Sequence, residues 1–197
     1  MIHPHTELKF ISNEIGYGVV ATRFIPAGTI TWILDKLDRE FTTQEFEGLD
    51  PIYQEIIDTY TFRNNQGNFV LCWDNGRYVN HSFSSNCLTT AYDFEIAIRD
   101  IHPGEQLTDD YGYLNIAHPF RAVDEGTRRK TVYPDDLLKY HKVWDKKIQK
   151  VFPKITSLEQ PLRSLVSDKM WQKITRINSG HEQLGSILEN YYLPTAN

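Results

Sequence analysis

Short stretches of alternating or uniformly apolar residues dominate the first half of the chain, and they predict β-strands rather than long helices. Residues 8–11 are apolar at every second position, while residues 19–21 and 29–34 are rich in β-branched side chains. Residues 26–28, of sequence Pro-Ala-Gly, predict a tight turn because proline fixes one turn dihedral and glycine accepts positive φ. Further strands are expected at 68–73, 88–92 and 94–99.

Residues 36–66 interrupt this pattern and predict a helical insertion in the β framework. Thr42 and Glu45 have the spacing of a capping box, in which each side chain bonds the backbone N–H of the other residue. Pro51 suits the first turn of a helix, and residues at helical spacing follow it to about residue 62.

The end of the chain predicts helices. After a polar stretch at 121–133, side chains facing one side recur every three or four positions, at Leu137, His141, Trp144, Ile148, Val151 and Ile155. Two more helical stretches are predicted at about 157–177 and 181–191. The chain therefore divides into a mainly β domain, residues 1–120, and a helical C-terminal extension, residues 121–197.

The net charge of −5 is unevenly distributed along the sequence. Residues 1–120 contain 7 Lys and Arg against 17 Asp and Glu, whereas residues 121–197 contain 14 against 9. An acidic first part suits a cationic substrate by long-range attraction, and it equally suits an ordinary solvated surface. The lysines after residue 137 are interpreted as a solvated helix face, and no direct nucleic-acid binding is predicted because no aromatic residues interleave with them.

The chain has two cysteines, Cys72 and Cys87, which are interpreted as core residues. So few cysteines exclude a disulfide scaffold and a cysteine-built zinc site, and no metal site is expected. No apolar run reaches the roughly 20 residues that span a bilayer, and the first residues lack the features of a signal peptide. We therefore expect a soluble, cytoplasmic protein with no membrane partner.

Three separate segments contain residues suited to a functional site. Residues 16–18 are Gly-Tyr-Gly, which either lets a ligand approach the backbone or simply forms a turn. Residues 77–87 contain Asn-His-Ser, a capped turn or a buried polar network. Residues 104–113 end in Asp-Asp-Tyr-Gly-Tyr. None of the three is decisive alone.

Taken together and in this order, the three segments resemble the SET-domain family of protein-lysine methyltransferases, over residues 7–115. That family shows Gly-x-Gly, then Arg-Phe/Tyr-x-Asn-His-Ser, then Gly-Glu-Glu-Leu-Thr-x-Asp-Tyr. The resemblance implies a mainly β fold, the SET-domain β-clip of small antiparallel sheets, with a knot-like crossing of the second and third segments. It also implies methyl transfer from S-adenosylmethionine to the ε-amine of a lysine in a protein or peptide.

The resemblance also implies roles for single residues. The cofactor would contact the backbone of Gly16, Tyr17 and Gly18, the side chain of Asn80 and the backbone of His81. Tyr111 would stand beside the transferred methyl group as the catalytic residue and would contact the cofactor as well. The substrate channel would include Tyr78 and Tyr113, and Phe120 or Tyr133 would pack against the adenine.

This sequence departs from the family pattern in three places. Ser85 replaces a frequent proline, and no cysteines follow residue 87 to bind zinc beside the lysine channel, so the helical extension is expected to close the site. Residues 32–34 lack a tyrosine that some relatives have, which leaves the number of transferred methyl groups open.

Methyl transfer requires a neutral amine, and at pH 7 deprotonating a lysine of pKa about 10.4 costs about 4.6 kcal/mol. We expect a narrow apolar channel to lower this cost, because burial of the lysine disfavours its ammonium form. Two alternatives to an enzyme remain: a SET-like module that binds peptide or cofactor without transfer, and a structural β protein whose helical extension drives assembly. The sequence names neither the substrate nor the oligomeric state.

Overall fold

The computed structural model describes residues 1–193, in which the strands are short and divided among five small sheets. In chain order the strands are β1 (Thr6–Ser12), β2 (Gly16–Ala21), β3 (Ile30–Ile33), β4 (Arg39–Phe41), β5 (Thr61–Arg63), β6 (Phe69–Leu71), β7 (Asn80–His81), β8 (Cys87–Thr89), β9 (Phe94–Ala97), β10 (Thr108–Asp109), β11 (Phe120–Arg121) and β12 (Thr131–Val132).

Four α-helices accompany these strands: α1 (Thr43–Glu47), α2 (Pro51–Tyr60), α3 (Asp136–Val151) and α4 (Asp168–Asn178). Single 3-10 turns lie at Asn75–Tyr78, Tyr111–Tyr113, Phe152–Ser157, Arg163–Leu165 and Ile187–Asn190. Among the described residues, none of the helices has both the length and the apolar content needed to cross a membrane.

The prediction of a mainly β chain is only partly correct, because helical residues make up 32% of the chain and strand residues 23%. The small antiparallel sheets are present, with strand orders β3-β9-β8 and β4-β6-β5 beside the β1-β2 hairpin. Helix exceeds strand because no strand is longer than seven residues, whereas α3 alone has 16.

The insertion forms the helices that its sequence signals predict, and it contains two strands as well. Thr42 and Glu45 make the reciprocal bonds of a capping box at the start of α1, and Pro51 opens α2 after the N-cap Asp50. The insertion also contains β4 and β5, which pair with β6. These two strands were not predicted, since three residues are too few to show a period of two.

The C-terminal helices share one core with the β3-β9-β8 sheet. Trp144 and Ile148 of α3 are buried in the same cluster as Phe94 and Ile96 of β9. Of the two later helical stretches, α4 forms, whereas residues 181–191 contain only a 3-10 turn. The division at residue 120 stays a prediction about sequence units, because this core crosses it.

Gln160 connects the C-terminal extension to the sheet through hydrogen bonds to the backbone. Its Oε1 accepts from the N–H of Ile30 at 2.8 Å, and its Nε2 donates to the carbonyls of Gly28 and Ile155, both at 3.0 Å. The residue is buried, so water does not compete for these bonds.

The parallel pair β7-β10 joins two distant parts of the sequence. Asn80 is in register with Thr108, and His81 with Asp109. Asn86 reinforces the junction, because its Nδ2 donates to the Gln106 carbonyl at 2.7 Å and its Oδ1 accepts from the Thr108 N–H at 2.9 Å. The second and third segments therefore lie side by side, and the knot-like threading stays a prediction.

We predict that Gln160→Leu lowers the free energy of unfolding by about 2–4 kcal/mol, because it leaves buried N–H and C=O groups of Ile30 and Gly28 without partners. Urea denaturation measures this. The control Gln172→Leu, at an exposed position of α4, should change stability by less than about 0.5 kcal/mol. Equal effects of the two substitutions would show that the bridge contributes nothing.

Candidate active site

The two glycines of the first segment are required for different structural reasons. Gly16 begins β2 with φ of +79°, a left-handed conformation that favours glycine, and a side chain there would meet open space. At Gly18 a Cβ would lie 2.6 Å from Asn80 Nδ2 and 2.5 Å from Gln106 Oε1. Gly18 is therefore needed so that these two side chains can approach the backbone of β2.

Asn80 fixes the first segment to the second. Its Nδ2 donates to the carbonyl of Tyr17 at 3.0 Å and to Oε1 of Gln106 at 3.0 Å. The Tyr17 side chain is exposed and packs edge-on against Phe10. The backbone of residues 16–18 is thus held next to β7 by one amide group.

His81 is partly buried between aromatic rings and holds the backbone of Tyr111. Its Nδ1 accepts the Tyr111 N–H at 3.1 Å, while its Nε2 is buried and has no hydrogen-bond partner within residues 1–193. Burial lowers the pKa of His81 from its ordinary 6.5 to about 4, and the nearby Arg129 also lowers it. The ring is therefore neutral at pH 7, as an Nδ1 acceptor must be.

Tyr111 stands where the second and third segments meet. It opens the 3-10 turn Tyr111–Tyr113, and its hydroxyl donates to the Val79 carbonyl at 2.6 Å. Burial raises the pKa of Tyr111 above its ordinary value, with a smaller contribution from Asp109, so the phenol stays protonated. Tyr111 is thus held through its backbone by His81 and through its hydroxyl by Val79.

A cavity of about 340 Å³ opens beside Tyr111. Its walls come from the 3-10 turn at 111–113, from the end of α2 together with β5, and from neighbouring strands. The residues that line its deep part are Trp32, Val79, Thr89, Glu95, Asp109, Tyr111 and Tyr113. The side chains of Asp58, Arg63 and Arg77 also border it.

The cavity beside Tyr111 contains buried acids as well as apolar side chains, and the expected apolar lysine channel stays a prediction. Glu95 and Asp109 are both buried there and interact directly with each other. Burial raises the pKa of both carboxyl groups, and the proximity of Glu95 raises that of Asp109 further. Because two buried carboxylates in contact do not both ionise readily, the pair favours sharing a proton.

Arg129 links the third segment to the C-terminal extension. Its guanidinium bonds the carboxylates of Asp110 and Asp136, the latter at 2.6 Å, and lies over the rings of Phe83 and Tyr140. Both carboxylates are almost fully buried. A half-buried arginine shared by two buried acids joins the 3-10 turn of Tyr111 to the start of α3.

The remaining predicted site residues lie in different surroundings. Tyr113 is buried and lines the cavity, whereas Tyr78 packs edge-on against Tyr60 and does not line it. Phe120 lies close to both Tyr111 and His81, with ring centroids 6.1 and 5.6 Å away. Tyr133 is 47% exposed, on the surface with Lys139 over its ring. Residues 16–18, Asn80 and His81 lie next to the cavity but do not line it.

The family model of the SET domain matches residues 16–112. That range begins at the first glycine of the Gly-Tyr-Gly segment and ends one residue after Tyr111. Residues 16–112 are a SET domain. The comparison with curated proteins gives no significant match.

Two solved structures are similar to parts of this chain. A humanized mutant of the Chaetomium thermophilum Polycomb Repressive Complex 2, bound to the inhibitor GSK126, aligns with 23% identity and a TM-score of 0.42, over 55% of this chain and 15% of that chain. KRYPTONITE in complex with mCHH DNA, an H3(1-15) peptide and SAH aligns with 20% identity and a TM-score of 0.43, over 65% of this chain and 29% of that chain. The chain thus spans less than a third of either matched chain.

Several residues at the SET-domain site were not singled out in the sequence. Glu95 is an acid within the buried strand β9, and a charge in an otherwise apolar strand was the available signal. Gln106 and Asp109 lie inside the third segment but were not assigned roles there. Arg129 lies in a polar stretch where nothing in the sequence distinguishes it from solvated arginines.

We predict that the contribution of His81 to the stability of this SET domain is lost as the pH drops from 6.5 towards 4, whereas buried Glu95 and Asp109, whose pKa is raised, contribute with the opposite sign. The unfolded chain takes up a proton on His81 near pH 6.5, whereas the folded chain resists until about pH 4, so the proton favours unfolding throughout this window. Buried His3, whose pKa is also lowered to about 4, contributes in the same direction. Urea denaturation at several pH values measures the slope.

His81→Asn removes the titrating imidazole, so the free energy of unfolding of wild type relative to this variant should fall as the pH drops from 6.5 towards 4. The control His141→Gln, at the surface of α3, should leave the slope unchanged. A His81→Asn variant with the wild-type slope would contradict the prediction.

Proposed function

We propose that this SET domain transfers a methyl group from S-adenosylmethionine to the ε-amine of a lysine in a protein. The observation that carries the proposal is the position of Tyr111. This tyrosine is bonded to His81 and Val79 of the second segment, and it lines a cavity. Asn80, between these two residues, bonds the Tyr17 carbonyl, so the first segment is joined to the site through the second.

The residues next to Tyr111 fit an adenosyl cofactor. The buried Nε2 of His81 has no partner in the described structure, and the adjoining half-buried Phe120 offers an aromatic face. The residues proposed to hold the cofactor are Gly16, Tyr17, Gly18, Asn80, His81 and Tyr111. Phe120 is favoured over Tyr133 for contact with the adenine, because Tyr133 lies on the surface away from His81.

When bound, S-adenosylmethionine supplies a methyl group on a positively charged sulfur. The contribution of this chain is mainly alignment, because bringing the amine and the methyl carbon into line removes an entropic barrier of several kcal/mol. Tyr111 stays a neutral phenol at pH 7, so it orients the reacting groups without adding charge. No acid–base residue pair is required to break the carbon–sulfur bond.

The cavity supports a lysine side chain as the acceptor. Tyr113 and Trp32 supply aromatic walls that suit a long alkyl chain, and the acids Glu95 and Asp109 suit a cationic end group. Tyr78, which contacts Tyr60 near the end of α2, is proposed to border the outer substrate channel. The partner is therefore a lysine-containing protein or peptide, and cytoplasmic location stays a prediction.

We predict that Tyr111→Phe preserves folding and cofactor binding but lowers the turnover number by at least about tenfold, because alignment of the reacting groups is lost. Calorimetric titration with S-adenosylmethionine measures binding, and transfer of a labelled methyl group to a mixture of proteins, followed by mass spectrometry, measures turnover. Tyr53→Phe, on the exposed face of α2, is the matched control and should behave as wild type. Near-wild-type turnover of Tyr111→Phe would remove Tyr111 from its role.

The same measurements test the alternative of a non-catalytic SET-like module. Cofactor binding without transfer to any protein would favour that module, and no cofactor binding at all would contradict the methyltransferase and leave only a module that binds peptide.

We further predict that Gly18→Ala weakens S-adenosylmethionine binding by at least about tenfold. The added Cβ would overlap Asn80 and Gln106 and displace the amide that holds the proposed cofactor backbone. Gly48→Ala is the control, because Gly48 has right-handed φ of −81° and its nearest neighbours would be at ordinary contact distance. Equal affinities of the two variants would show that residues 16–18 do not contact the cofactor.

A further inference from the structure

The deep end of the cavity beside Tyr111 holds buried polar atoms whose hydrogen bonding is incomplete. Oδ1 of Asp109, the hydroxyl of Tyr113 and Nε1 of Trp32 lack a well-aligned hydrogen bond to any residue that the structure describes, although Asp109 and Tyr113 lie close enough to interact with each other. Asp109, Tyr113 and Trp32 are only 8, 1 and 9% exposed, and all three line the cavity. Buried polar atoms without partners are costly, so their presence points to a ligand that supplies the missing bonds.

Glu95 completes this polar cluster from the floor of the cavity. It lies in β9 opposite Trp32 of β3 and Thr89 of β8, and all three side chains line the cavity. One carboxylate oxygen of Glu95 accepts the Thr31 hydroxyl at 2.5 Å, and the group also contacts Asp109. Strands β9 and β10 therefore bring the carboxyl groups of Glu95 and Asp109 together.

We propose that the Glu95–Asp109 pair is the recognition site for the primary ammonium group of the substrate, and that it selects unmethylated amines over trimethylated ones. The proposal rests on the function proposed above and names what that cavity recognises. The pair recognises the ammonium group through oxygen atoms that accept hydrogen bonds from its N–H groups. An aromatic wall alone would recognise only the positive charge.

The chemistry of the pair gives the reason for this selectivity. With a shared proton the pair carries one negative charge, and a primary ammonium group offers three N–H donors to it. Hydrogen bonds to a charged acceptor are about twice as strong as neutral ones. A quaternary ammonium keeps the charge but has no N–H, so the buried acceptors would stay unpaired against its methyl groups.

Other ionisable groups surround the pair and set its charge. Cys87 lies on β8 beside Glu95, and Asp110, Tyr111 and Tyr113 follow Asp109 along the chain. Cys72 approaches from the end of β6, the amino terminus acts from further away, and Arg63 and Arg77 border the cavity. Burial raises the pKa of the two cysteines and the two tyrosines above their ordinary values, so these groups stay neutral at pH 7.

The test uses the full chain and three small probes, titrated to millimolar concentration by calorimetry or by NMR. These are n-butylammonium, butyltrimethylammonium and 1-pentanol, which have the same alkyl chain or length but differ in charge and in N–H donors. We expect n-butylammonium to bind at least about tenfold more tightly than either of the others. Equal or tighter binding of butyltrimethylammonium would overturn the proposal, as would no binding of n-butylammonium.

Variants localise the binding to the pair. Asp109→Asn and Glu95→Gln should each weaken n-butylammonium binding by about tenfold, whereas the control Asp58→Asn, an exposed acid that borders the same cavity, should stay within about twofold. Wild-type affinity in both pair variants would overturn the proposal. If either variant fails to fold, the comparison of the three probes on the wild-type protein decides.

A pH series adds a readout that a purely structural pair would not affect. The probe stays cationic below pH 9 because its pKa is close to that of lysine, about 10.4. Binding should therefore weaken as the pH falls and the pair becomes fully protonated, and an affinity that does not fall with pH while the protein stays folded would count against the proposal. These measurements need neither S-adenosylmethionine nor turnover, so the two proposals can fail separately.

Discussion

The parallel pairing of Asn80-His81 with Thr108-Asp109 is the contact on which the site depends. It is only two residues long, and the side chain of Asn86 reinforces it by bonding the backbone on either side of Leu107. From this junction His81 reaches the backbone of Tyr111, and Asn80 reaches that of Tyr17. Such a pairing of segments far apart in sequence pays a loop-closure entropy that only the surrounding buried core repays.

The second constraint is the attachment of the C-terminal extension. Arg129 bonds Asp110 and Asp136, while Gln160 satisfies the backbone at Ile30 and Gly28. Removing one member of such a buried network leaves uncompensated charge or unpaired amides, which is more costly than the net gain from forming it. The extension thus holds the 3-10 turn of Tyr111 through the ion pairs of Arg129.

The polar floor of the cavity changes how amine reactivity must be understood. An apolar channel would lower the pKa of a lysine by desolvation alone, whereas an adjacent carboxyl pair favours the ammonium form. Glu95 and Asp109 therefore trade some nucleophilicity of the amine for affinity and selectivity. Tyr111 and Tyr113 beside them stay neutral at pH 7, so these two tyrosines add no further charge to the cavity.

The sequence by itself determined those features whose physics is local. Examples are the capping box at Thr42, the proline start of α2 and the amphipathic face of α3, each of which depends on residues a few positions apart. Each of the three segments that resemble the SET domain is likewise a short run of neighbouring residues. Only the tertiary structure decided that Glu95 meets Asp109 and that Arg129 meets Asp110, because no local pattern encodes contacts between residues 14 to 19 positions apart. The polar character of the cavity follows from those contacts, so it could not be predicted from the chain alone.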